Sequence, residues 1–389
     1  MASNMIRKSA FKDNDYIEAK VLSSYESSSR SNISINIIPT VLYRYLKWIG
    51  LIEHSRENTL NRIIIFAFKI ILIFVIVDNW IIYQSQTYNA IMKSLTAYVS
   101  SYIFSVAAWY GMHMKRKQLE TLLHTLQELS LHQDQRKGNF IVLVLLSMPI
   151  FFSVFITLTV TESNSKFYSY GYDLRNPWAQ IANVSIKAFL YRFVFPTLTN
   201  IIALLYCIVC MHCSTLVRQL HEEILMHPIE TFVTSKRVEI MRQKARIEKV
   251  LSCVEDNFSL PSFFVIVANL VICASMLSIY IDLDSWVNHR VYLYVEWSLY
   301  VINSFGGLMI TLWIASELPI QEQKLKEEFY AKARMKMLFA EIPEEPGIEK
   351  WLFDKPDFVF TGWNILSYRR STVFAVVGTL ITYTVIVVK

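Results

Sequence analysis

The amino-acid sequence predicts an all-α membrane protein with seven transmembrane helices. Of its 389 residues, 53% are hydrophobic and only 18% are charged, and the mean hydropathy is +0.33. Soluble domains usually carry charge on about a quarter of their residues. The apolar residues fall in long runs, and the basic residues are concentrated in alternate connections between those runs. Both patterns are typical of a chain that crosses a bilayer several times.

The sequence divides into a polar tail and a membrane domain with seven predicted spans. The polar segment, 1–36, is expected to be a cytoplasmic tail without a cleavable signal peptide. The remainder, 37–389, is expected to form one membrane domain that opens with a short amphipathic stretch. A span needs roughly 20 apolar residues to cross the hydrocarbon layer. Runs of that kind lie at 63–83, 91–111, 139–160, 186–210, 261–281, 291–314 and 370–388.

The distribution of Lys and Arg predicts the orientation. The segments 1–62, 112–138, 211–260 and 315–358 together hold 28 of the 38 basic residues. The opposite set, 84–90, 161–185 and 282–290, holds only Lys166, Arg175 and Arg290. Because basic residues accumulate on the cytoplasmic side, the N-terminus is predicted to be cytoplasmic and the C-terminus extracellular.

The segments predicted to be cytoplasmic are expected to be helical and packed. Leucines recur at helical spacing between 117 and 131, and residues 214–256 and 317–342 mix charges with apolar residues in the same way. We therefore expect helices that continue beyond the fourth, fifth and sixth spans and form an anchor domain next to the membrane.

Polar and aromatic residues within the spans predict a small-molecule site in the outer half of the bundle. Two stripes share a helical face, at spacings i, i+4, i+7 and i+11 on the second span and i, i+4, i+7 on the sixth. Arg192 adds a base in the fourth span. Aromatic faces with a few hydrogen-bonding groups suit a small ligand. The candidate ligand-binding residues are Tyr98, Tyr102, Trp109, Arg192, Glu296, Tyr300 and Asn303.

A structural interpretation of these residues stays open, in which Glu296 pairs with Arg192 and the tyrosines form an interfacial aromatic belt.

Asn183 begins an Asn-Val-Ser glycosylation sequon in the outer connection before the fourth span. The five cysteines include three at every third position of the fourth span, a spacing that favours buried structural thiols over a metal site. The sequence shows no catalytic or cofactor-binding motif, so we predict neither an enzyme nor a cofactor. The basic runs are expected to contact membrane lipid headgroups and not nucleic acid.

Near its C-terminus the sequence reads Thr382-Tyr383, then Thr384, Val385, Ile386, Val387 and Val388, then Lys389. This segment resembles the last helix of insect gustatory receptors, which belong to the seven-transmembrane insect chemoreceptor superfamily. The hallmark of that helix is a Thr-Tyr pair, five apolar residues and Gln-Phe. Here the pair is Thr382-Tyr383, Lys389 stands in the place of the Gln, and the Phe is missing. Thr361-Gly362, followed eight residues later by Arg370, and Gly378-Thr379 are similar to the sugar-receptor branch.

This resemblance implies a ligand-gated, non-selective cation channel of four subunits in the plasma membrane of a sensory neuron. The subunits would be identical or sibling receptors. The final helix would be split, with about 347–367 in the anchor domain and about 370–388 lining the pore. Thr382, Val385, Val388 and Lys389 are the expected pore and gate residues, and the valines could form an apolar constriction. Four lysines at the outer mouth would oppose cation flow.

The expected stimulus is a small tastant such as a sugar, which offers hydroxyls to polar groups and an apolar face to aromatic rings. A bitter or other apolar ligand is left open. An odorant receptor of the same superfamily is the nearest alternative function. A G-protein-coupled receptor also has seven spans but requires an outside N-terminus, and a transporter would often show internal repeats.

Overall fold

The computed structural model describes residues 37–52, 59–85, 89–129, 135–159, 162–281, 291–339 and 356–388. The predicted tail, 1–36, and Lys389 lie outside these ranges. Side chains are likewise not described for 89–94, 162–164, 279–281, 291–296, 337–339 and 384–388. Within the described ranges the chain forms twelve α-helices and one short β-hairpin.

Every predicted span coincides with a helix. The spans correspond to α2 (Thr59–Ser85), α3 (Asn89–Met114), α5 (Gln135–Leu158), α7 (Pro177–Arg192) with α8 (Thr199–Met226), α9 (Thr234–Ile281), α10 (Val291–Ala315) and α12 (Arg370–Val388). Five helical stretches among the described residues are both long and apolar enough to cross a membrane; they begin at Thr59, Gln135, Pro177, Thr234 and Trp297. The shorter helices are α1 (Thr40–Trp48), α4 (Arg116–Leu129), α6 (Glu162–Tyr168) and α11 (Glu317–Phe339).

The fourth span is longer than predicted and is interrupted. Asn176 caps α7 by accepting a hydrogen bond from the Trp178 amide at 3.0 Å, and Pro177 occupies the first turn. A π-helical segment, Phe193–Leu198, separates α7 from α8. Proline lacks an amide hydrogen and clashes with the preceding helical turn, so Pro196 breaks the helix where Phe195 adopts an extended backbone. This break directs the fully buried Phe195 side chain into the bundle.

The helical extensions pack together as predicted. Lys332 of α11 donates hydrogen bonds to three carbonyls at the end of α8, those of Ile224 (2.5 Å), Leu225 (2.7 Å) and His227 (2.6 Å). Terminal carbonyls of a helix have no partner within that helix, so the ammonium group satisfies acceptors that would otherwise be orphaned. The rings of Phe232 and Phe329 meet edge to face at 5.7 Å beside this contact.

The segment before the last helix is a hairpin, which corrects the expectation of a helix over its described part. Strands β1 (Thr361–Gly362) and β2 (Leu366–Ser367) pair antiparallel, and the turn places Trp363 and Asn364 at φ of 51° and 56°. A left-handed turn of this kind reverses the chain and excludes a continuous helix. Gly362 is required because a Cβ there would overlap the Tyr368 hydroxyl.

Two carboxylates hold this hairpin against α9 and α11. The Phe358 amide donates to Glu322 at 2.6 Å, and the Thr361 amide donates to both carboxylate oxygens of Glu255, at 3.0 and 3.1 Å. The Thr361 hydroxyl also donates to Glu255. The chain that leads into α12 is therefore fixed to α9 and α11 before the last helix begins.

Candidate ligand site

Aromatic side chains from four elements converge in the part of the bundle predicted to be its outer half. The rings of Tyr98 on α3 and Tyr300 on α10 meet edge to face with centroids 5.4 Å apart. Phe195 stacks on Tyr300 at 6.3 Å, and Phe152 of α5 lies 6.4 Å from it. Such pairs contribute about 0.5–1.5 kcal/mol each beyond the area they bury. The structure thus brings the two predicted stripes together around Tyr300, which is only 2% exposed.

Arg192 lies against the same cluster. Its guanidinium carbon is 4.2 Å from the centre of the Tyr300 ring and 5.5 Å from that of Phe152. The side chain is buried, which strengthens a cation–π contact because little water competes with it. The predicted base of the fourth span therefore faces the aromatic rings.

Tyr102 extends the cluster toward α7. Its ring lies 5.9 Å from that of Tyr191 and 6.3 Å from that of Phe195. Tyr191 in turn donates a hydrogen bond to the carboxylate of Asp78 on α2. A continuous path of contacting side chains joins Tyr300 to Asp78.

Asp78 is the centre of a buried polar cluster at the end of this path. Lys187 of α7 lies 3.0 Å from the carboxylate, and the Tyr170 hydroxyl also donates to it. The Lys187 ammonium group additionally donates to the Tyr168 carbonyl at 2.9 Å and sits 3.9 Å from the centre of the Tyr170 ring. These contacts fasten the connection between α6 and α7 to the helix bundle.

Asn303 belongs to a second polar group, one turn from Tyr300 along α10. Its side-chain oxygen accepts a hydrogen bond from Asn200 of α8 at 2.8 Å. Asn269 of α9 and Ser304 are fully buried in the same region. Sequence reasoning missed Asn200, Asn269 and Ser304. The sequence contained a signal for the two buried amides, because an asparagine inside a predicted apolar span is costly unless its side chain has a hydrogen-bond partner.

Two of the predicted ligand-binding residues do not join the described cluster. Trp109 lies 11 residues beyond Tyr98 on α3, about 16 Å along the helix. Its indole nitrogen donates to the Ile49 carbonyl at 3.1 Å, and its ring stacks on His113 at 4.8 Å. Trp109 therefore holds the segment after α1. The helix α10 includes Glu296, whose side chain lies outside the described residues.

Asn183 lies in α7, and its side-chain nitrogen is engaged. It donates to the Tyr168 carbonyl at 3.2 Å and to the Ser169 hydroxyl at 3.1 Å. A glycan at this nitrogen would displace both contacts. Glycosylation of Asn183 stays a prediction.

The last helix presents two different faces. Val373, Val376 and Leu380 are buried against the rest of the chain. Thr382 is exposed and its hydroxyl bonds back to Gly378, whereas the Tyr383 hydroxyl accepts a hydrogen bond from Ser278 of α9 at 3.1 Å. The side chains of Val385 and Val388 and the whole of Lys389 lie outside the described residues.

The cysteines of α8 are buried among apolar neighbours. Burial raises the free energy of a thiolate, which is the form that ligates metals. Across the described part of the chain, no group of three or more His, Cys, Asp and Glu side chains converges as a metal site would require. In the cluster, aromatic faces lie next to hydrogen-bonding groups, which are the two kinds of surface that small-molecule sites commonly combine.

Comparison with known proteins shows the fold. The chain matches the structure of the insect olfactory receptor OR5 from Machilis hrabei over 96% of its own length and 99% of that chain, with a TM-score of 0.68 and 14% identity. The chain has the fold of an insect olfactory receptor. The structure of the same receptor in complex with eugenol matches over 91% of this chain and 97% of that one, with a TM-score of 0.66 and 14% identity.

The likeness lies in the fold and not in the sequence. No model of a known protein family matches this chain, and neither does any curated protein sequence. The predicted all-α, seven-helix membrane architecture is confirmed, and both solved structures named above are of an insect olfactory receptor.

Proposed function

We propose that this protein is a subunit of a ligand-gated, non-selective cation channel opened by a small tastant. The ligand would bind among Tyr98, Tyr102, Arg192, Tyr300 and Asn303 in the outer half of the bundle. Four subunits, identical or siblings, would surround a pore lined by α12 in the plasma membrane of a sensory neuron. The observation that carries the proposal is the aromatic cluster around Tyr300 within the fold of an insect olfactory receptor.

The cluster supports a binding role because its rings come from four different helical elements. Four helical elements each contribute a side chain, so a ligand that separates Tyr98 from Tyr300 would shift α3 relative to α10. The first turn of α12 contacts the junction where α10 ends and α11 begins. Arg370 pairs with Glu317 at 3.1 Å and lies 5.0 Å from the Trp313 ring. Movement of α10 would therefore reach the helix proposed to line the pore.

The faces of α12 support its proposed position at a pore. One face packs on the chain's own helices through Val373, Val376 and Leu380. A second face is exposed in the single chain and carries small residues at helical spacing: Ser371, Ala375, Gly378 and Thr382. Small and hydroxyl-bearing side chains permit close approach of neighbouring helices and contact with water. Val385 and Val388 are proposed as the constriction, and Lys389 as part of the outer mouth.

An odorant receptor of the same superfamily is the second candidate. It is favoured by the likeness to a receptor whose structure contains eugenol. The two candidates share the channel and differ in the ligand, so the same assay separates them.

Calcium imaging and whole-cell recording of cells that express the chain, alone and with sibling receptors, test this proposal. A panel of sugars, amines, bitter compounds and volatile aromatics should contain a compound that opens a cation conductance. Tyr300→Leu should raise the half-maximal concentration of that compound at least about tenfold, equivalent to about 1.4 kcal/mol. Tyr110→Leu is the matched control, because Tyr110 lies on α3 and is exposed. Unchanged responses of Tyr300→Leu at equal surface expression would exclude the site.

A further inference from the structure

A cavity lined by charged residues lies between α9, α11 and the chain that leads into the hairpin. Its volume is about 260 Å³, which is room for about nine water molecules at about 30 Å³ each. All of its lining residues fall in the segments 211–260 and 315–358, which the basic residues predict to be cytoplasmic. We name it the anchor cavity, and its lining residues are Lys244, Glu248, Ser252, Glu322, Lys326, Pro356, Asp357 and Phe358.

Glu322 is a buried carboxylate in the wall of the anchor cavity. It is only 7% exposed, and one carboxylate oxygen accepts a hydrogen bond from the Phe358 amide at 2.6 Å. Among the residues that the structure describes, no basic nitrogen lies within ion-pair distance of Glu322. A buried carboxylate without a countercharge is costly, because burial removes the water that would solvate it. Glu322 is therefore a group that a cation in the cavity would stabilise.

The other charges of the lining form two ion pairs. Lys244 lies 3.1 Å from Glu248, and Lys326 lies 3.9 Å from Asp357. The carboxylates of both pairs repel the charge on Glu322, whereas Lys244 attracts it. Two ammonium groups thus face three carboxylates, so the lining carries a net negative charge when all of these groups are ionised. A negative lining favours a cation over an anion as the occupant.

We propose that the anchor cavity binds a small organic cation from the cytosol, with its ammonium or guanidinium group against Glu322. These groups only donate hydrogen bonds and a carboxylate only accepts them, so the two are complementary. Pro356 and Phe358 add apolar wall to the same cavity, which suits the hydrocarbon part of such a cation. This site is separate from the aromatic cluster around Tyr300 and goes beyond the proposed function.

A metal ion fits the anchor cavity less well than an organic cation. Calcium takes about 6–8 oxygen ligands at about 2.3–2.6 Å. In the described part of the chain, no group of three or more His, Cys, Asp and Glu side chains is arranged to hold a metal. The ammonium groups of Lys244 and Lys326 would also repel a divalent ion. An organic cation can place its charge at one carboxylate and fill the remaining volume with its body.

A bound cation would strengthen the attachment of the chain that leads into α12. Pro356, Asp357 and Phe358 precede strand β1, and the lining of the cavity joins them to α9 and α11. The occupant would contact all three of these parts at once. We therefore expect the hairpin to separate from the two helices less often when the cavity is occupied.

The test uses the purified full-length chain in detergent at neutral pH. Butylguanidine is the probe, and butylurea is its uncharged analogue of nearly the same shape. Sodium chloride at equal ionic strength corrects for screening. Butylguanidine should raise the melting temperature and slow amide exchange between 357 and 362, because a ligand that binds the folded state stabilises it. Butylurea should do neither.

Glu322→Gln removes the charge and keeps an acceptor for the Phe358 amide. Calorimetric titration should show at least about tenfold weaker binding of butylguanidine to this variant. Glu255→Gln is the matched control, because Glu255 also holds the hairpin, through Thr361, but does not line the cavity. It should bind butylguanidine as the wild type does. If Glu322→Gln misfolds, Ser252→Phe replaces it, since it fills the cavity and removes no charge; binding should then be lost.

Each contrary result has a distinct meaning. Unchanged binding of butylguanidine in both Glu322→Gln and Ser252→Phe overturns the inference, because the cation would then bind elsewhere. Equal stabilisation by butylurea overturns it as well, since charge would play no part. Stabilisation by calcium or magnesium ions but not by butylguanidine would make the cavity a metal site and overturn the proposed ligand class. These measurements involve no channel current, so the site and the proposed channel function can fail independently.

Discussion

The ammonium group of Lys187 lies 3.0 Å from a carboxylate oxygen of Asp78, and both side chains are more than nine-tenths buried. Asp78 also accepts hydrogen bonds from Tyr170 and Tyr191. The pair joins α2 to α7 and holds the connection after α6. Tyr191 continues to Tyr102 and the ligand cluster. The ion pair therefore supports one wall of the proposed site.

The first prediction concerns this ion pair. Asp78→Asn leaves the ammonium group of Lys187 buried without a countercharge, and breaking a buried pair in this way costs about 3–5 kcal/mol. We expect a lower melting temperature in detergent and reduced surface expression. The double variant Asp78→Asn/Lys187→Met should recover much of the loss, because it removes both charges.

Asp173→Asn is the control, because Asp173 is exposed in the connection between α6 and α7. It should match the wild type. Equal melting temperatures for Asp78→Asn and the wild type would show that the pair contributes nothing.

Hydropathy predicted the helices well because it depends on local composition. The prediction of the spans and of the helical extensions needs only a run of apolar residues or a periodic pattern. The partner of Asp78 was not predictable in this way. Lys187 lies 109 positions along the chain from Asp78, and the approach of α2 to α7 is a tertiary property that no local pattern contains.

The contacts among the candidate residues were predicted only in part, for the same reason. Helical spacing grouped Tyr98 with Tyr102 and Tyr300 with Asn303, and those groups do meet. The same spacing also included Trp109, because periodicity specifies the face of a helix on which a residue lies and not its position along the helix. The sequence marks Asn200 and Asn269 as costly amides within apolar spans, but only the packing of α8, α9 and α10 shows that both border Gly307.

The second prediction concerns Lys332, which bonds three carbonyls at the end of α8. Lys332→Met keeps most of the side-chain volume and removes the donors, so those buried acceptors lose their partner at about 1–3 kcal/mol. We expect a lower melting temperature and faster amide exchange between 220 and 232. Lys324→Met on the same helix is the control, since Lys324 is exposed. Identical exchange in both variants would argue against the contact.

The third prediction is a pH dependence at the hairpin. Burial raises the pKa of both Glu255 and Glu322 above the ordinary value of 4.5, although hydrogen bonds from Thr361 and Phe358 oppose the rise. Between the ordinary and the raised pKa the folded state binds more protons than the unfolded state. The free energy of unfolding should therefore fall as pH rises through that window and be level above it. The fall should be smaller for Glu255, because Glu255 is half-buried whereas Glu322 is buried, so water screens the Glu255 carboxylate more.

Melting temperatures measured from pH 4 to pH 8 test this sign. Glu255→Gln and Glu322→Gln should each flatten the curve, because neither amide titrates. Glu222→Gln is the control, since its side chain is 59% exposed. A wild-type curve that instead rises across the window would contradict the assignment of burial as the dominant cause.

The fourth prediction concerns the last helix. If Val385 and Val388 form an apolar constriction in a four-subunit pore, replacing either with Ser should admit water to the narrow region and raise basal cation current without ligand. Ile381→Ser is the comparison for a position outside the proposed constriction. Ile381 lies one turn before Val385 and is 59% exposed in the single chain. Lys389→Gln should increase cation flow, because it removes four positive charges from the proposed outer mouth. Whole-cell recording with ion substitution at equal surface expression measures both effects. Unaltered basal current and selectivity in all of these variants would exclude α12 as the pore lining and leave the aromatic cluster to be tested by ligand binding alone.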